Sequence, residues 1–269
     1  MISYKFDTFC KEKPLAGKRI NLAIGVFDGV HKGHLCILNH CLVEKYKESL
    51  SVVMTFNVNP KMRAGKITKN LPLTTYTQRR AIFEEMGFDR EIVIDFSVEF
   101  SKLSADKFFD LITDSVILDK VIVGEDFRCG EPSTSYGPIE LQKYLIRKGL
   151  KTTVVVPSPV LDSRKNIISS TLIRKQLVQG NMDVVQNLLG RPYLLDLGST
   201  PSHVSGNGLV MKREDIMQLL PLQGIYDAKL VGNGRHVTLK LSKNLLEIEN
   251  VDPSLLQINR LEITNQKGI

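Results

Sequence analysis

The chain has 269 residues, a hydrophobic content of 42% and a formal net charge of +7. These values fit a globular protein with one large domain, or with one domain and a smaller second domain. It lacks any run of about eighteen apolar residues, and charged residues interrupt any signal-peptide core near the start, so neither a membrane span nor secretion is predicted. The cysteines form no CxxC pair, which predicts reduced thiols and a cytoplasmic location. The basic residues are scattered, which favours small phosphorylated substrates over nucleic acid.

The first predicted strand and helix enclose a glycine-rich turn. Residues 21–24 form an apolar run typical of a buried strand, and leucines recur at helical spacing beyond residue 34. The turn between them carries three glycines and two histidines: Gly25, Gly29, Gly33, His31 and His34. Glycines let a backbone approach a ligand closely, and the free amides at a helix start suit an anion. The turn is therefore predicted to bind phosphate.

Two other interpretations of the histidines stay open at this point. Buried structural histidines are common, and either residue alone fits that role. Metal ligation would need further ligands at suitable spacing, and the sequence has no His-rich or Cys-rich partner stretch.

Strands and helices alternate through the next part of the chain, which is typical of a parallel sheet covered on both faces. Predicted strands occupy residues 51–56, 91–95, 120–123 and 152–156; predicted helices occupy 77–86, 105–114 with Ser104 as cap, and 138–148. The fold class is therefore α/β, a Rossmann-like parallel sheet of about five strands. Such sheets bind ligands beyond the carboxyl ends of their strands, where polar segments follow four of the predicted strands.

A second, smaller antiparallel β domain is predicted after the helical spacing stops near residue 187. Residues 224–231 and 236–241 flank a Gly-Asn-Gly turn and alternate in polarity, which predicts a hairpin; residues 262–264 are a candidate last strand. A small antiparallel sheet or incomplete barrel is the expected architecture. The predicted domains are residues 1–187 and 188–269.

Three ordered segments resemble the signature of the HxGH nucleotidyltransferases, and specifically of the bacterial FAD synthetases. They are the GxFDG and HxGH turn at residues 25–34, the Gly-Glu-Asp-Phe loop at 124–127, and the ISSTxIR segment at 168–174. The resemblance implies transfer of AMP from ATP to FMN, giving FAD and pyrophosphate, with Mg²⁺ accompanying ATP and no metal bound by protein side chains. It implies neither nucleic acid nor a membrane as partner.

The resemblance also implies roles for individual residues. The implied catalytic residues are His31, His34 and Arg174. The implied ATP- and phosphate-binding residues are Gly25, Phe27, Asp28, Gly29, Gly33, Ser170 and Thr171. The implied FMN-binding residues are Asn59, Asp126 and Phe127. Helix capping is the alternative for Ser170, and a structural role is the alternative for Asp28.

The chain departs from the family pattern in three places. Phe56-Asn57-Val58-Asn59-Pro60 replaces the usual Phe-x-Pro-His-Pro, and Cys129 stands where the family favours an aromatic residue. Most FAD synthetases that the chain resembles carry a second domain that phosphorylates riboflavin to FMN, with a Gly-x-Pro-Thr-Ala-Asn segment whose threonine and asparagine bind Mg-ATP. This segment is missing from the second part of the chain, which predicts that riboflavin kinase activity is absent. Action on another small phosphate, or nucleotide binding without catalysis, are the alternative functions.

Overall fold

The fold comes from a computed structural model, which describes residues 1–43, 48–58, 71–206, 208–251 and 259–268. The chain separates into two compact units. The first contains Met1–Phe27, Gly33–Thr68 and Arg79–Leu161, and the second contains Asp28–Lys32, Lys69–Gln78 and Asp162–Ile269. Asn59 lies outside the described residues, so its predicted role in FMN binding stays a prediction.

The first unit is built on a six-stranded parallel sheet. Its strands are β1 (Ile2–Lys5), β2 (Arg19–Ile24), β3 (Leu50–Phe56), β4 (Arg90–Ile94), β5 (Ile117–Ile122) and β6 (Thr153–Val155), in the order β1-β4-β3-β2-β5-β6. The predicted α/β class is confirmed, and each predicted strand is present. β1 was not predicted, because this edge strand is short and its side chains are exposed or half-buried.

Helices connect the parallel strands. They are α1 (Phe6–Glu12), α2 (Lys32–Val43), α3 (Tyr76–Glu85), α4 (Val98–Ser101), α5 (Ala105–Thr113) and α6 (Pro138–Arg147). The predicted cap of α5 is confirmed, since the Ser104 side chain accepts a hydrogen bond from the amide of Lys107. Buried side chains such as Leu22, Phe109 and Leu141 form the apolar core of this unit.

The second unit contains two helices and a seven-stranded antiparallel sheet. The helices are α7 (Ser170–Val178) and α8 (Met182–Leu189). The strands are β7 (Tyr193–Asp196), β8 (Ser202–Ser205), β9 (Gly208–Lys212), β10 (Gly224–Leu230), β11 (His236–Leu241), β12 (Leu245–Glu249) and β13 (Arg260–Gly268), in the order β7-β13-β10-β11-β12-β9-β8. The predicted hairpin is confirmed by β10 and β11, and the predicted last strand lies within β13. Among the described helices, none is both long and apolar enough to cross a bilayer.

Candidate active site

The first unit brings two predicted motifs to neighbouring strand ends. β2 lies between β3 and β5, and the chain continues from β2 to one side through β3 and to the other side through β5. The strand order therefore reverses between β2 and β5, where open parallel sheets bind their ligands. Gly25 directly follows β2, and Gly124 follows β5 after one residue. The histidine turn (residues 25–34) and the acidic loop (residues 124–127) therefore start from the carboxyl ends of adjacent strands.

Close packing shapes the start of the histidine turn. Phe27 is buried at 1% exposure with φ +51°, and its ring lies edge-on to the His34 imidazole at a centroid distance of 5.4 Å. A Cβ on Gly25 would lie 2.8 Å from the Phe27 ring, so only glycine fits there without a shift. Phe27 therefore supports His34 and the fold of the turn. Gly33 and His34 lie in the first turn of α2 and are half-buried.

The acidic loop after β5 contains one apolar residue that packs inward and one polar residue that is exposed. Phe127 packs against the apolar core, whereas Asp126 is exposed and lies close to Gly124. The amide of Phe127 donates to the Gly124 carbonyl at 3.1 Å, which closes a tight turn. Farther along, Cys129 pairs with Tyr136 through two backbone hydrogen bonds. Burial raises the pKa of the Cys129 thiol to about 12, so this thiol stays protonated near neutral pH.

Asp28 is the centre of the site in the second unit. Its carboxylate is buried at 3% exposure, and Oδ1 accepts hydrogen bonds from the amides of Leu73 at 2.9 Å and Thr74 at 3.2 Å. Oδ2 pairs with Nη2 of Arg174, whose side chain is 16% exposed. A buried carboxylate is stable only with such partners. The structure therefore joins the Asp28 turn to the ISSTxIR segment directly.

Ser170 makes a second connection between these segments. Its hydroxyl donates to the Asp28 carbonyl at 2.8 Å, and its own carbonyl accepts from Nη1 of Arg174 at 3.4 Å. The cap of α7 is Ser169, which accepts from the Leu172 amide, so the capping alternative for Ser170 was wrong by one residue. Thr171 is exposed at the start of the helix. Nε of Arg174 is buried and has no hydrogen-bond partner among the described residues.

The middle of the turn is strained and held by Arg191. Gly29 has φ +90° and Val30 has φ +37°, a conformation that costs a β-branched residue energy. Arg191 donates from Nη2 to the Gly29 carbonyl at 2.7 Å and from Nη1 to the Val30 carbonyl at 2.9 Å. The Gly29 amide donates to the Thr74 hydroxyl at 2.9 Å. Neither Arg191 nor Thr74 was among the predicted site residues, because neither belongs to the three motifs.

His31 is buried beside this arginine, at 4% exposure. Burial, and secondly the positive charge of Arg191, lower the pKa of the imidazole to about 4. His31 is therefore neutral in the free protein near neutral pH. A neutral imidazole can donate one hydrogen bond to a phosphate oxygen but carries no full positive charge.

The family model and the curated relatives point to one family. The family model described as FAD synthetase matches residues 14–172. A bifunctional riboflavin kinase/FMN adenylyltransferase from Buchnera aphidicola subsp. Schizaphis graminum is 33% identical over 182 residues, covering 65% of this chain and 57% of that protein. The chain thus spans little more than half the length of this relative. A protein named FAD synthetase from Listeria monocytogenes is 26% identical over 233 residues, covering 84% of this chain and 89% of that protein.

A solved structure shares the fold of the whole chain. The crystal structure described as a macrolide-efflux protein from Streptococcus pneumoniae superposes with a TM-score of 0.79 at 19% identity, covering 100% of this chain and 91% of that chain. At this identity the likeness concerns the fold alone.

Proposed function

The chain belongs to the FAD synthetase family, and we propose that it transfers AMP from ATP to FMN, giving FAD and pyrophosphate. The observation that carries the proposal is the direct pairing of Asp28 in the histidine turn with Arg174 in the ISSTxIR segment. Two motifs far apart in the sequence meet through a buried ion pair. The Ser170 hydroxyl on the Asp28 carbonyl reinforces the connection.

The reaction makes modest demands on protein groups. A phosphate oxygen of FMN attacks the α-phosphorus of ATP, the bond to the bridging oxygen of the β-phosphate breaks, and pyrophosphate leaves with that electron pair. The FMN phosphate has a second pKa of about 6, so it is largely dianionic near neutral pH and needs no strong general base. The protein must align the two phosphates and stabilise the charge that grows on the transferred and departing groups.

Three side chains are assigned to the phosphates of ATP. His31 donates a hydrogen bond as a neutral imidazole, and His34 contacts the α-phosphate from the first turn of α2. Arg174 is oriented by Asp28 through Nη2, and the exposed part of its guanidinium is assigned to a departing phosphate oxygen. Removal of one such donor typically costs about 3 kcal/mol of transition-state stabilisation.

The remaining predicted residues shape the binding surfaces in this proposal. Gly25, Gly29 and Gly33 let the backbone of the turn approach the ATP phosphates closely. Phe27 and Asp28 support the turn, and Ser170 and Thr171 lie at the start of α7. Asn59, Asp126 and Phe127 are assigned to FMN.

Mg²⁺ is assigned to the ATP substrate. Among the described residues, no three His, Cys, Asp or Glu side chains converge to form a metal site, and the Asp28 carboxylate is already engaged by Arg174 and two amides. The described part of the chain therefore does not fit an ion held by protein side chains. Mg²⁺ typically keeps water ligands and binds substrate phosphates, where it neutralises charge.

We further propose that riboflavin kinase activity is absent and that residues 188–269 form a remnant β domain beside a nucleotidyltransferase domain of residues 1–187. The kinase threonine and asparagine have no counterparts in residues 208–211, which form the buried apolar strand β9. The similarity to a Listeria protein named only as FAD synthetase, over 89% of its length, supports the same proposal. Cytoplasmic ATP and FMN would be the substrates.

A chromatographic assay tests the activity. Purified protein with ATP, Mg²⁺ and FMN is expected to form FAD and pyrophosphate in equal amounts, and with riboflavin in place of FMN to form neither FMN nor FAD. Absence of FAD at saturating substrate would refute the adenylyltransferase, and turnover of another small phosphate instead would support the alternative acceptor. Formation of FMN from riboflavin would refute the loss of the kinase.

The variant His34→Ala separates an enzyme from a nucleotide-binding protein. The enzyme is expected to lose turnover by a factor of roughly 100 or more while remaining folded. His203→Ala removes an exposed imidazole from β8 and is expected to retain wild-type turnover. Equal FAD synthesis by His34→Ala and wild type would remove His34 from the catalytic residues.

A further inference from the structure

One glutamine in the second unit is fully buried within a connecting segment. Gln218 lies in the segment between β9 and β10 and has 0% exposure, whereas Met217 is 67% exposed. A side-chain amide offers two N–H donors and one carbonyl acceptor, and burying them without partners is costly. The contacts of Gln218 therefore identify what this segment holds in place.

Every polar atom of the Gln218 side chain is hydrogen-bonded. Nε2 donates to the carbonyl of Leu194 at 2.7 Å and to the carbonyl of Leu73 at 2.8 Å. Oε1 accepts from the amide of Asp196 at 3.0 Å and from Nε2 of Gln78 at 3.3 Å. The amide thus links strand β7 to the segment of residues 71–78. Its orientation is fixed, because its nitrogen faces carbonyls and its oxygen faces N–H donors.

The segment that Gln218 holds is the one that binds Asp28. The carbonyl of Leu73 contacts Gln218, while the amides of Leu73 and Thr74 both donate to Asp28 Oδ1. The Leu219 amide donates to the Pro72 carbonyl at 2.9 Å, which fixes the same segment a second time. Asp28 in turn pairs with Arg174. A continuous series of buried hydrogen bonds therefore runs from Gln218 to the arginine.

We propose that Gln218 is a positioning residue for adenylyl transfer: it fixes residues 71–78, which orient Asp28 and through it Arg174. This inference rests on the proposed function. The inference assigns the segment between β9 and β10 a positioning role in the reaction. No side chain of this segment contacts a substrate in our proposal. A small displacement of the Arg174 guanidinium would move the donor assigned to the departing phosphate out of position.

The variant Gln218→Met keeps the length of the side chain and removes its hydrogen bonds. We expect its kcat for FAD synthesis to fall by at least about 10-fold at an unchanged KM for FMN, because misplaced groups affect the transition state more than flavin binding. Gln223→Met, at an exposed position of the same segment, is the matched control and is expected to match wild type.

A second control separates positioning from general destabilisation. Ile248→Ala removes core packing from β12, where Ile248 is 0% exposed, and takes part in none of the hydrogen bonds above. It is expected to lower Tm yet to keep kcat at temperatures where the protein is folded. Retention of kcat by folded Gln218→Met, or an equal loss of kcat in folded Ile248→Ala, would overturn the inference.

A second variant, Gln218→Glu, tests the inference if Gln218→Met does not fold. Gln218→Glu keeps an acceptor for Asp196 and Gln78 but opposes two carbonyls unless its carboxyl is protonated. Its kcat relative to wild type is therefore expected to rise as the pH falls. A pH-independent ratio would overturn the inference.

Amide hydrogen exchange tests the contacts independently of catalysis. Residues 71–78 are expected to exchange faster in Gln218→Glu than in wild type, with no such change in Gln223→Met. Unchanged exchange would overturn the inference, whatever the activity. If wild type forms no FAD and exchange still rises, the proposed function fails while the role of Gln218 in holding this segment stands.

Discussion

The ionisation of His31 gives the sharpest test of the chemistry at the turn. The imidazole is 4% exposed, and burial together with the charge of Arg191 lowers its pKa from 6.5 to about 4. The folded protein is therefore expected to hold this histidine neutral at every pH at which it is active. The role that we assign to it, a neutral donor to ATP, depends on this property.

The shift has a calculable effect on stability. Between its pKa of about 4 in the fold and the ordinary value of 6.5, the unfolded chain binds the proton and the folded chain does not. The free energy of unfolding must therefore fall as the pH is lowered through this range. The full penalty, reached below the folded pKa, is about 3 kcal/mol, and about 2 kcal/mol of it is expected between about pH 7 and about pH 5.

Proton NMR titration of the histidine C2 signals measures the pKa directly, and the variant His31→Asn assigns the signal by its disappearance. Urea unfolding followed by circular dichroism gives the corresponding stability. Wild type is expected to lose about 2 kcal/mol more than His31→Asn between about pH 7 and about pH 5. His203→Asn, which removes an exposed imidazole, is the control and should follow wild type.

Addition of a non-hydrolysable ATP analogue extends the test to function. A triphosphate that contacts His31 favours the protonated form, so the titration should move to higher pH when the analogue binds. A His31 signal that titrates near 6.5 in the free protein would refute the neutral-donor argument. A signal that titrates near 4 and does not move with the analogue would remove His31 from the phosphate contacts.

Two further predictions rest on single contacts, and a third rests on the missing kinase segment. Arg174→Lys is expected to lower kcat by about 100-fold, since an ammonium lacks the planar fork needed to hold a carboxylate and a phosphate together, while Lys175→Arg at the exposed neighbouring position should leave steady-state kinetics unchanged. Gly130 lies three residues after Phe127, which is assigned to FMN. Gly130→Ala would place a Cβ 2.5 Å from the Ala105 backbone nitrogen at φ +87°, so we expect the loop that carries Asp126 and Phe127 to shift and the KM for FMN to rise. Gly149→Ala, also at positive φ but with open space around it, is the control for backbone strain alone. Riboflavin with ATP is expected to yield no FMN by chromatography.

The parallel sheet could be predicted because its strands carry strong local signals. β2, β3 and β5 each carry a short cluster of buried apolar residues bounded by turns, and buried strands of parallel sheets are rich in such residues. The edge strand β1 lacks such a cluster, since only half-buried positions separate its exposed ends. β8 in the second sheet has only exposed side chains, so no alternation in burial marks it as a strand.

The histidine turn was visible in the sequence for a similar reason, because glycines and histidines at fixed spacing are rare by chance. Its supports were not visible. Thr74 and Arg191 contact the turn from distant parts of the sequence, and neither belongs to the three motifs that predicted the site. Gln218 stands between ordinary residues of a connecting segment, and only its burial reveals its role. Long-range hydrogen bonds to backbone atoms leave little trace in a single sequence.

The strained conformation of the turn explains why so many distant residues are needed. Phe27 and Val30 both adopt positive φ, at a cost on the order of 1–3 kcal/mol each. The hydrogen bonds from Leu73, Thr74, Ser170 and Arg191 to the turn contribute roughly 1 kcal/mol each, which is of the same size as the strain. Local sequence alone therefore does not hold the turn in this shape. Contacts from both sides of residue 187 do so, and a chain that lost residues 188–269 would lose Arg191 and Gln218 together.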